Sequence, residues 1–132
     1  MESSQSSLSG GKKTVLCIDD ELSCLRLYRL MLEDAGYEVV SFTDAHSGLD
    51  YFFSGRVDAA VLDYSMPRMG GAEVARTIRG TNPRLPIVMI SCRSECPRDA
   101  ENWVDVYLTK GRDFDELPCS LERLLTTQKD AA

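Results

Sequence analysis

Residues 58–71 read DAAVLDYSMPRMGG. An apolar run, Ala59 to Leu62, leads into a single acid, Asp63, and a turn follows, marked by Pro67 and the pair Gly70-Gly71. A helical pattern starts at Ala72 and runs to Arg79, with Val74, Ala75 and Ile78 inward and Gly80 and Asn82-Pro83 closing it. A buried strand that ends in an acid just before a loop fixes the carboxylate and leaves it accessible. Asp63 is therefore the candidate reactive residue of the chain.

The same strand, turn and helix texture extends in both directions. Thr14 to Ile18 (TVLCI) is apolar and β-branched, suits a buried strand, and ends in Asp19-Asp20-Glu21. Leu22 to Ala35 reads as a helix, with Leu22, Leu25, Tyr28, Leu32 and Ala35 on one face, acids at its start to suit the dipole, and Gly36 as its stop. Tyr37 to Phe42 is a second strand, and Thr43 or Asp44 caps a helix that reaches Phe53. Val57 to Asp63, Pro86 to Ile90 and Val104 to Leu108 are the third, fourth and fifth strands. The polar segment Ser91 to Asn102 has room for only a brief helix, and Asp115 to Thr127 is the last helix, with Leu117, Leu121, Leu124 and Leu125 inward. Strands alternating with helices predict an α/β protein whose parallel sheet is covered on both faces. Right-handed crossovers and the chain length predict a flavodoxin-like (βα)5 fold, a five-stranded sheet of order 2-1-3-4-5.

Bulk properties bound the function. A chain of 132 residues is one domain by length. Residues 1–12 are Ser/Gly-rich and read as a disordered leader, 13–128 as the folded domain and 129–132 as a polar tail. A net charge of −6 argues against direct nucleic-acid contact and against an anionic membrane surface. No apolar run approaches the roughly 18–20 residues of a spanning helix, and the N-terminus lacks the apolar core of a signal peptide. The five cysteines, Cys17, Cys24, Cys92, Cys96 and Cys119, show no zinc spacing and read as reduced thiols. The expected location is cytoplasmic.

In such a sheet the binding crevice lies beyond the carboxyl ends of the strands, where strand order reverses. Strand 1 ends at Asp19-Asp20, strand 3 at Asp63, strand 4 at Ser91, and strand 5 leads into Lys110. Three acids, a hydroxyl and an ammonium thus converge. The acids repel one another, and an oxygen-only site of few ligands suits Mg²⁺. A carboxylate is a competent nucleophile for a phosphoryl group, and the transferring group needs a cation, a metal and a hydroxyl donor around it. Taken singly, each feature is a common turn or cap; the specificity lies in their joint occurrence.

The motifs CIDDE, LDYSMPRMGG, MISC and VYLTKG, at the ends of strands 1, 3, 4 and 5, resemble those of the response-regulator receiver domain, the CheY-like phosphoacceptor module of two-component signalling. The resemblance covers roughly Lys13 to Gln128. It implies that Asp63 is the phosphorylated aspartate, and that Asp19 and Asp20 bind Mg²⁺ with Asp63 and the backbone carbonyl of Ser65. It implies that Ser91 is the switch hydroxyl and Lys110 the lysine that pairs with a phosphoryl oxygen. Tyr107 matches the aromatic that swings inward when Ser91 moves. The implied partners are a histidine kinase or histidine phosphotransfer protein and a downstream effector protein or domain. The implied role is a signalling switch rather than a metabolic enzyme.

Three departures stand out. Gly111 follows the lysine where receivers usually have proline, Gly70 replaces a polar residue, and the Ser91–Lys110 interval is about one helical turn short, with Pro97 inside it. A stunted or irregular fourth helix would alter the face that receivers commonly use for dimerisation and output. Arg93, two past Ser91, is within reach of the crevice mouth; Trp103 is expected to pack near the short helix and His46 to be exposed. Two rival readings are a docking-only receiver and an aspartyl phosphatase of the haloacid-dehalogenase type. The latter would carry Asp-x-Asp after strand 1 rather than adjacent acids.

Overall fold

Alternate side chains of each strand enter opposite layers, and this alternation builds two cores. The computed structural model describes residues 11–131. Residues 1–10 of the expected leader, and Ala132, lie outside the described residues. The strands are β1 (Thr14–Ile18), β2 (Glu38–Phe42), β3 (Ala59–Asp63), β4 (Ile87–Ser91) and β5 (Val106–Thr109). The helices are α1 (Leu22–Asp34), α2 (Ala45–Ser54), α3 (Gly71–Thr81) and α4 (Leu117–Ala131), the last preceded by a 3-10 turn, Phe114–Glu116. Val15 and Cys17 of β1 join Val61 and Ile90 under Leu25, Tyr28 and Leu32 of α1 and Leu117 and Leu121 of α4. Leu16, Ile18, Ala60 and Leu62 face the other way, onto Leu49 of α2 and Val74, Ala75 and Ile78 of α3. β1, β3 and β4 are buried throughout, as unbroken apolar runs require in a sheet covered on both sides.

The sheet is parallel throughout and its order is β2-β1-β3-β4-β5. The register aligns the carboxyl ends: Ile18 pairs with Leu62, Asp63 with Ile90, and Ser91 with Thr109. Asp44 caps α2, accepting from the Ser47 amide at 2.9 Å and from its hydroxyl at 2.8 Å. α3 starts at Gly71 because the chain there passes directly over the end of β3. A Cβ at this position would collide with the Asp63 carbonyl oxygen. His46 is exposed, as expected.

The brief fourth helix does not form. Between β4 and β5 the chain makes successive turns, with Ala100 N–H bonded to the Pro97 carbonyl at 3.0 Å and Trp103 N–H to the Ala100 carbonyl at 2.9 Å. Pro97 lacks the amide that a continuing helix would use, and the span back to β5 is short. Trp103 instead packs against the core on the α3 side. β5 begins at Val106 rather than Val104, because Asp105 closes the sheet edge differently. Its backbone amide bonds the Ile87 carbonyl at 2.9 Å, and its Oδ2 accepts from the Ile87 amide at 2.8 Å. Arg79 of α3 completes this clasp, donating to Asp105 Oδ2 at 3.0 Å and to the carbonyls of Trp103 at 2.9 Å and Leu85 at 2.8 Å.

The loop after β5 is rebuilt around Gly111, whose φ of +82° lies in the left-handed region that proline cannot enter. Asp113 fixes the turn: its Oδ2 accepts from the Thr109 amide at 2.8 Å, and its own amide donates to the Thr109 carbonyl at 2.9 Å. All described peptide bonds are trans. Restoring the proline usual in this position, Gly111→Pro, is expected to destabilise the domain by more than about 1 kcal/mol, and Gly111→Ala by about 1 kcal/mol. Urea unfolding midpoints measure both, and an unchanged midpoint for the proline variant contradicts the loop geometry.

Candidate functional site

The aligned strand ends bring together every side chain that the sequence singled out for chemistry. Asp63, the last residue of β3, is 4% exposed, and Ser91, the last of β4, is 2% exposed. Asp19, the residue after β1, is fully buried, whereas Asp20 is exposed. Carboxylate oxygens of Asp19, Asp20 and Asp63 lie within 4.8 Å of one another. A cleft of about 270 Å³ opens over them, lined by Asp20, Glu21, Asp63, Ser65, Ser91 and Lys110, with Cys92 and Arg93 at its side.

Lys110 is the cation of the cluster. Its Nζ lies 3.3 Å from Asp63 Oδ1, 3.1 Å from Asp19 Oδ2 and 2.7 Å from Glu21 Oε1. An ammonium has three protons, and three carboxylates take them. Burial alone would lower the lysine pKa, but the Glu21 hydrogen bond and the charges of Asp63 and Asp19 outweigh it and hold the ammonium protonated. Asp63 goes the other way. Burial, then the charge of Asp19, push its carboxyl up to about 7, with Lys110 opposing.

Two of these partners were not legible as site residues. By sequence Glu21 is a dipole-complementing acid at the helix start; in the structure its carboxylate bonds Lys110, and its amide donates to Asp19 Oδ1 at 2.9 Å. By periodicity Tyr28 belongs to the apolar face of α1. Its ring is indeed in the core, yet its hydroxyl donates to Asp19 Oδ2 at 2.8 Å. Burial and the neighbouring Asp19 charge raise the phenol pKa, so it stays a donor. A tyrosine among leucines was the available signal, since a buried hydroxyl requires a partner.

The Ser91 hydroxyl oxygen accepts from the Arg93 amide at 3.3 Å, which leaves its proton to donate. The Arg93 carbonyl in turn receives the Tyr107 hydroxyl at 2.6 Å and the Thr109 hydroxyl at 3.1 Å. Tyr107 is half-buried, tied to the segment that follows Ser91. Arg93 reaches the crevice mouth, where its guanidinium sits 5.3 Å from the centre of the Tyr64 ring. The Tyr64 hydroxyl donates to Asp99 at 3.0 Å, so the β3–α3 loop and the 92–105 segment are joined there. The five cysteines are free thiols, and no helix among the described residues is long and apolar enough to cross a membrane.

A parallel sheet of this order, with acids at the ends of β1 and β3, a hydroxyl at β4 and a lysine after β5, defines a receiver-type module. The family model described as response regulator receiver domain matches residues 15–122, and the chain belongs to that family. It is 37% identical over 123 residues to response regulator MprA of Mycobacterium tuberculosis, covering 89% of this chain and 54% of that protein. The chain thus spans about half the length of the curated relatives it matches. Among solved structures, the response regulator protein TrrA of Thermotoga maritima, in complex with Mg(2+)-BeF, is 34% identical with a TM-score of 0.78, over 85% of this chain and 98% of that one. A CheY-like receiver domain protein of Methanospirillum hungatei shares the fold at a TM-score of 0.84 and 22% identity, over 92% of this chain and all of that one.

The raised Asp63 pKa fixes a pH dependence. The folded state binds this proton more tightly than the unfolded chain, whose aspartate titrates near about 3.9. The stabilisation from Asp63 is therefore fully present below that value and is lost as pH rises through about 7. Asp63→Asn removes this loss. The melting temperature of the metal-free variant is expected to exceed the parent's at about pH 8 and to converge with it near about pH 4. Parallel melting curves across that window contradict a perturbed Asp63.

Proposed function

We propose that Asp63 accepts a phosphoryl group from a phosphohistidine and that the domain is a two-component signalling switch. The observation that carries this reading is the contact of Lys110 with both Asp63 and Asp19 under an open cleft that also contains the Ser91 hydroxyl. Asp63 attacks as the ionised carboxylate: one oxygen forms the O–P bond, the N–P bond of the phosphohistidine breaks, and its electron pair remains on the imidazole nitrogen. Lys110 stays protonated throughout and serves as a fixed positive charge for the phosphoryl oxygens. Of its three partners Glu21 is the most exposed, with 57% of its side chain in solvent, so this is the contact most cheaply exchanged for a phosphoryl oxygen. Ser91 has a hydroxyl proton to offer the same group.

The donor set also suits a divalent cation. Asp19, Asp20 and Asp63 place three carboxylates beside one ammonium, and burial together with the Asp19 charge raises the Asp63 pKa. These acids, with the backbone carbonyl of Ser65, a residue that lines the cleft, would hold Mg²⁺, which would supply charge neutralisation for the transferring phosphoryl group.

The output follows from the Ser91 connections. A displacement of Ser91 toward a phosphoryl group pulls on the Arg93 amide, and Arg93 is tied through its carbonyl to Tyr107 and Thr109. The phosphoryl group thereby biases the position of Tyr107 and of the 92–105 segment, a two-state shift. The donor is a histidine kinase or histidine phosphotransfer protein, the receiver of the signal an effector protein or domain, and the setting the cytoplasm. The domain catalyses its own phosphorylation but turns over no metabolite. The retained Lys110–Asp63 contact favours a switch over a docking-only module.

Incubation with acetyl phosphate and Mg²⁺ is expected to add one phosphoryl group, detectable by intact mass and removed by hydroxylamine. Asp63→Asn and chelation of the cation should each abolish it. Undiminished labelling of the Asp63→Asn variant would place the acceptor elsewhere.

A further inference from the structure

The hydroxyl of Tyr28 is the one polar group on the buried face of α1. Leu25 and Leu32 beside it are held by packing alone, and a phenylalanine would fill the same space. What the tyrosine adds is a donor, 2.8 Å from Asp19 Oδ2, in a place that neither residue exposes to water. Buried hydroxyls are bonded as a rule, but this one could have met a backbone carbonyl. It meets instead the most deeply buried carboxylate of the acid cluster.

We infer that Tyr28 is a positioning residue of the phosphoacceptor site: its phenol fixes the Asp19 carboxylate in the orientation that serves both Lys110 and a bound divalent cation. The inference rests on the reading of Asp63 given above. The Asp19 carboxylate has two oxygens, each held on its own side. Oδ1 receives the Glu21 amide at 2.9 Å and the Lys110 ammonium at 3.4 Å, and Oδ2 receives Tyr28 at 2.8 Å, with the Lys110 ammonium 3.1 Å away. With both oxygens anchored, rotation about the carboxylate bond is blocked. Without Tyr28, Oδ2 keeps only the lysine, which Asp63 and Glu21 also engage.

The same ring also reaches the segment after β5. It lies 6.1 Å from the ring of Phe114, tilted by 58°, and Phe114 opens the 3-10 turn that follows the rebuilt Gly111 loop. One side chain thus contacts both Asp19 and the 3-10 turn that closes the Gly111 loop, where the chain lacks the proline usual in this position. Partners that orient a metal-binding carboxylate contribute strongly to metal affinity, commonly about 10–100-fold.

Tyr28→Phe keeps the ring and its contact with Phe114 and removes only the hydroxyl. On the full chain, calorimetric titration with Mg²⁺ is expected to show a dissociation constant raised about tenfold, with cooperative unfolding retained. Leu32→Val, a truncation in the same core cluster, should lower the melting temperature and leave Mg²⁺ affinity unchanged. A measurement on the unaltered chain guards against a variant that fails to fold. With tyrosine labelled at the ring carbon that bears the hydroxyl, the Tyr28 NMR resonance should move on Mg²⁺ addition while that of Tyr37 does not. Mg²⁺ affinity within about twofold of the parent in Tyr28→Phe, or an unmoved Tyr28 resonance in a parent that binds Mg²⁺, overturns the inference and leaves the Asp63 reading standing. A parent chain that neither binds Mg²⁺ nor is phosphorylated at Asp63 overturns both.

Discussion

Lys110 makes the acid cluster compatible with a folded chain. Its ammonium touches Asp19, Asp63 and Glu21 at once, and two of those carboxylates are almost completely removed from water. Unpaired buried carboxylates would protonate or open the structure. One ammonium among these acids is still not enough: burial, and after it the charge of Asp19, tightens the hold of Asp63 on its proton. The same imbalance makes the cleft receptive to a further cation. The chemistry proposed for Asp63 and the electrostatic strain of the resting domain are therefore one property.

The frame that delivers Lys110 differs from the family pattern in two places, and the chain compensates in each. Where proline usually follows the lysine, Gly111 takes a left-handed turn, and Asp113 ties that turn back to Thr109. Where a fourth helix would pack, successive turns span from β4 to β5, clasped by Arg79 and Asp105 at one end and by Tyr64, Arg93 and Asp99 at the other. The surface that a phosphorylated Asp63 would remodel is thus a strapped loop rather than a helix. Its links to Ser91 and Tyr107 run through the backbone of Arg93.

Strand and helix positions were legible because apolar periodicity reports burial directly. TVLCI, the run Ala59 to Leu62 and PIVMI can only be buried on both faces, and the acids after the first two and the serine after the third mark the active edge. Legibility failed where a polar side chain replaces a backbone partner. Asp105 bonds the Ile87 amide and displaces the start of β5, and nothing in the local sequence separates it from a solvated turn acid. The brief helix expected between β4 and β5 fell to Pro97 and to the short span, both visible in the sequence. Their combined effect depended on where β5 had to begin.

The sequence by itself determined the fold, the strand order and the identity of the converging acids, hydroxyl and lysine. Each is set by local periodicity and by the short menu of parallel-sheet crossovers. The tertiary structure alone decided how these groups share charge. That Lys110 contacts Glu21 as well as Asp19 and Asp63, and that Tyr28 orients Asp19, depends on distances between α1, β3 and the β5–α4 loop. No residue pattern encodes those distances, because hydrogen bonds and ion pairs over a few ångströms are fixed by the packing of whole elements and not by spacing along the chain.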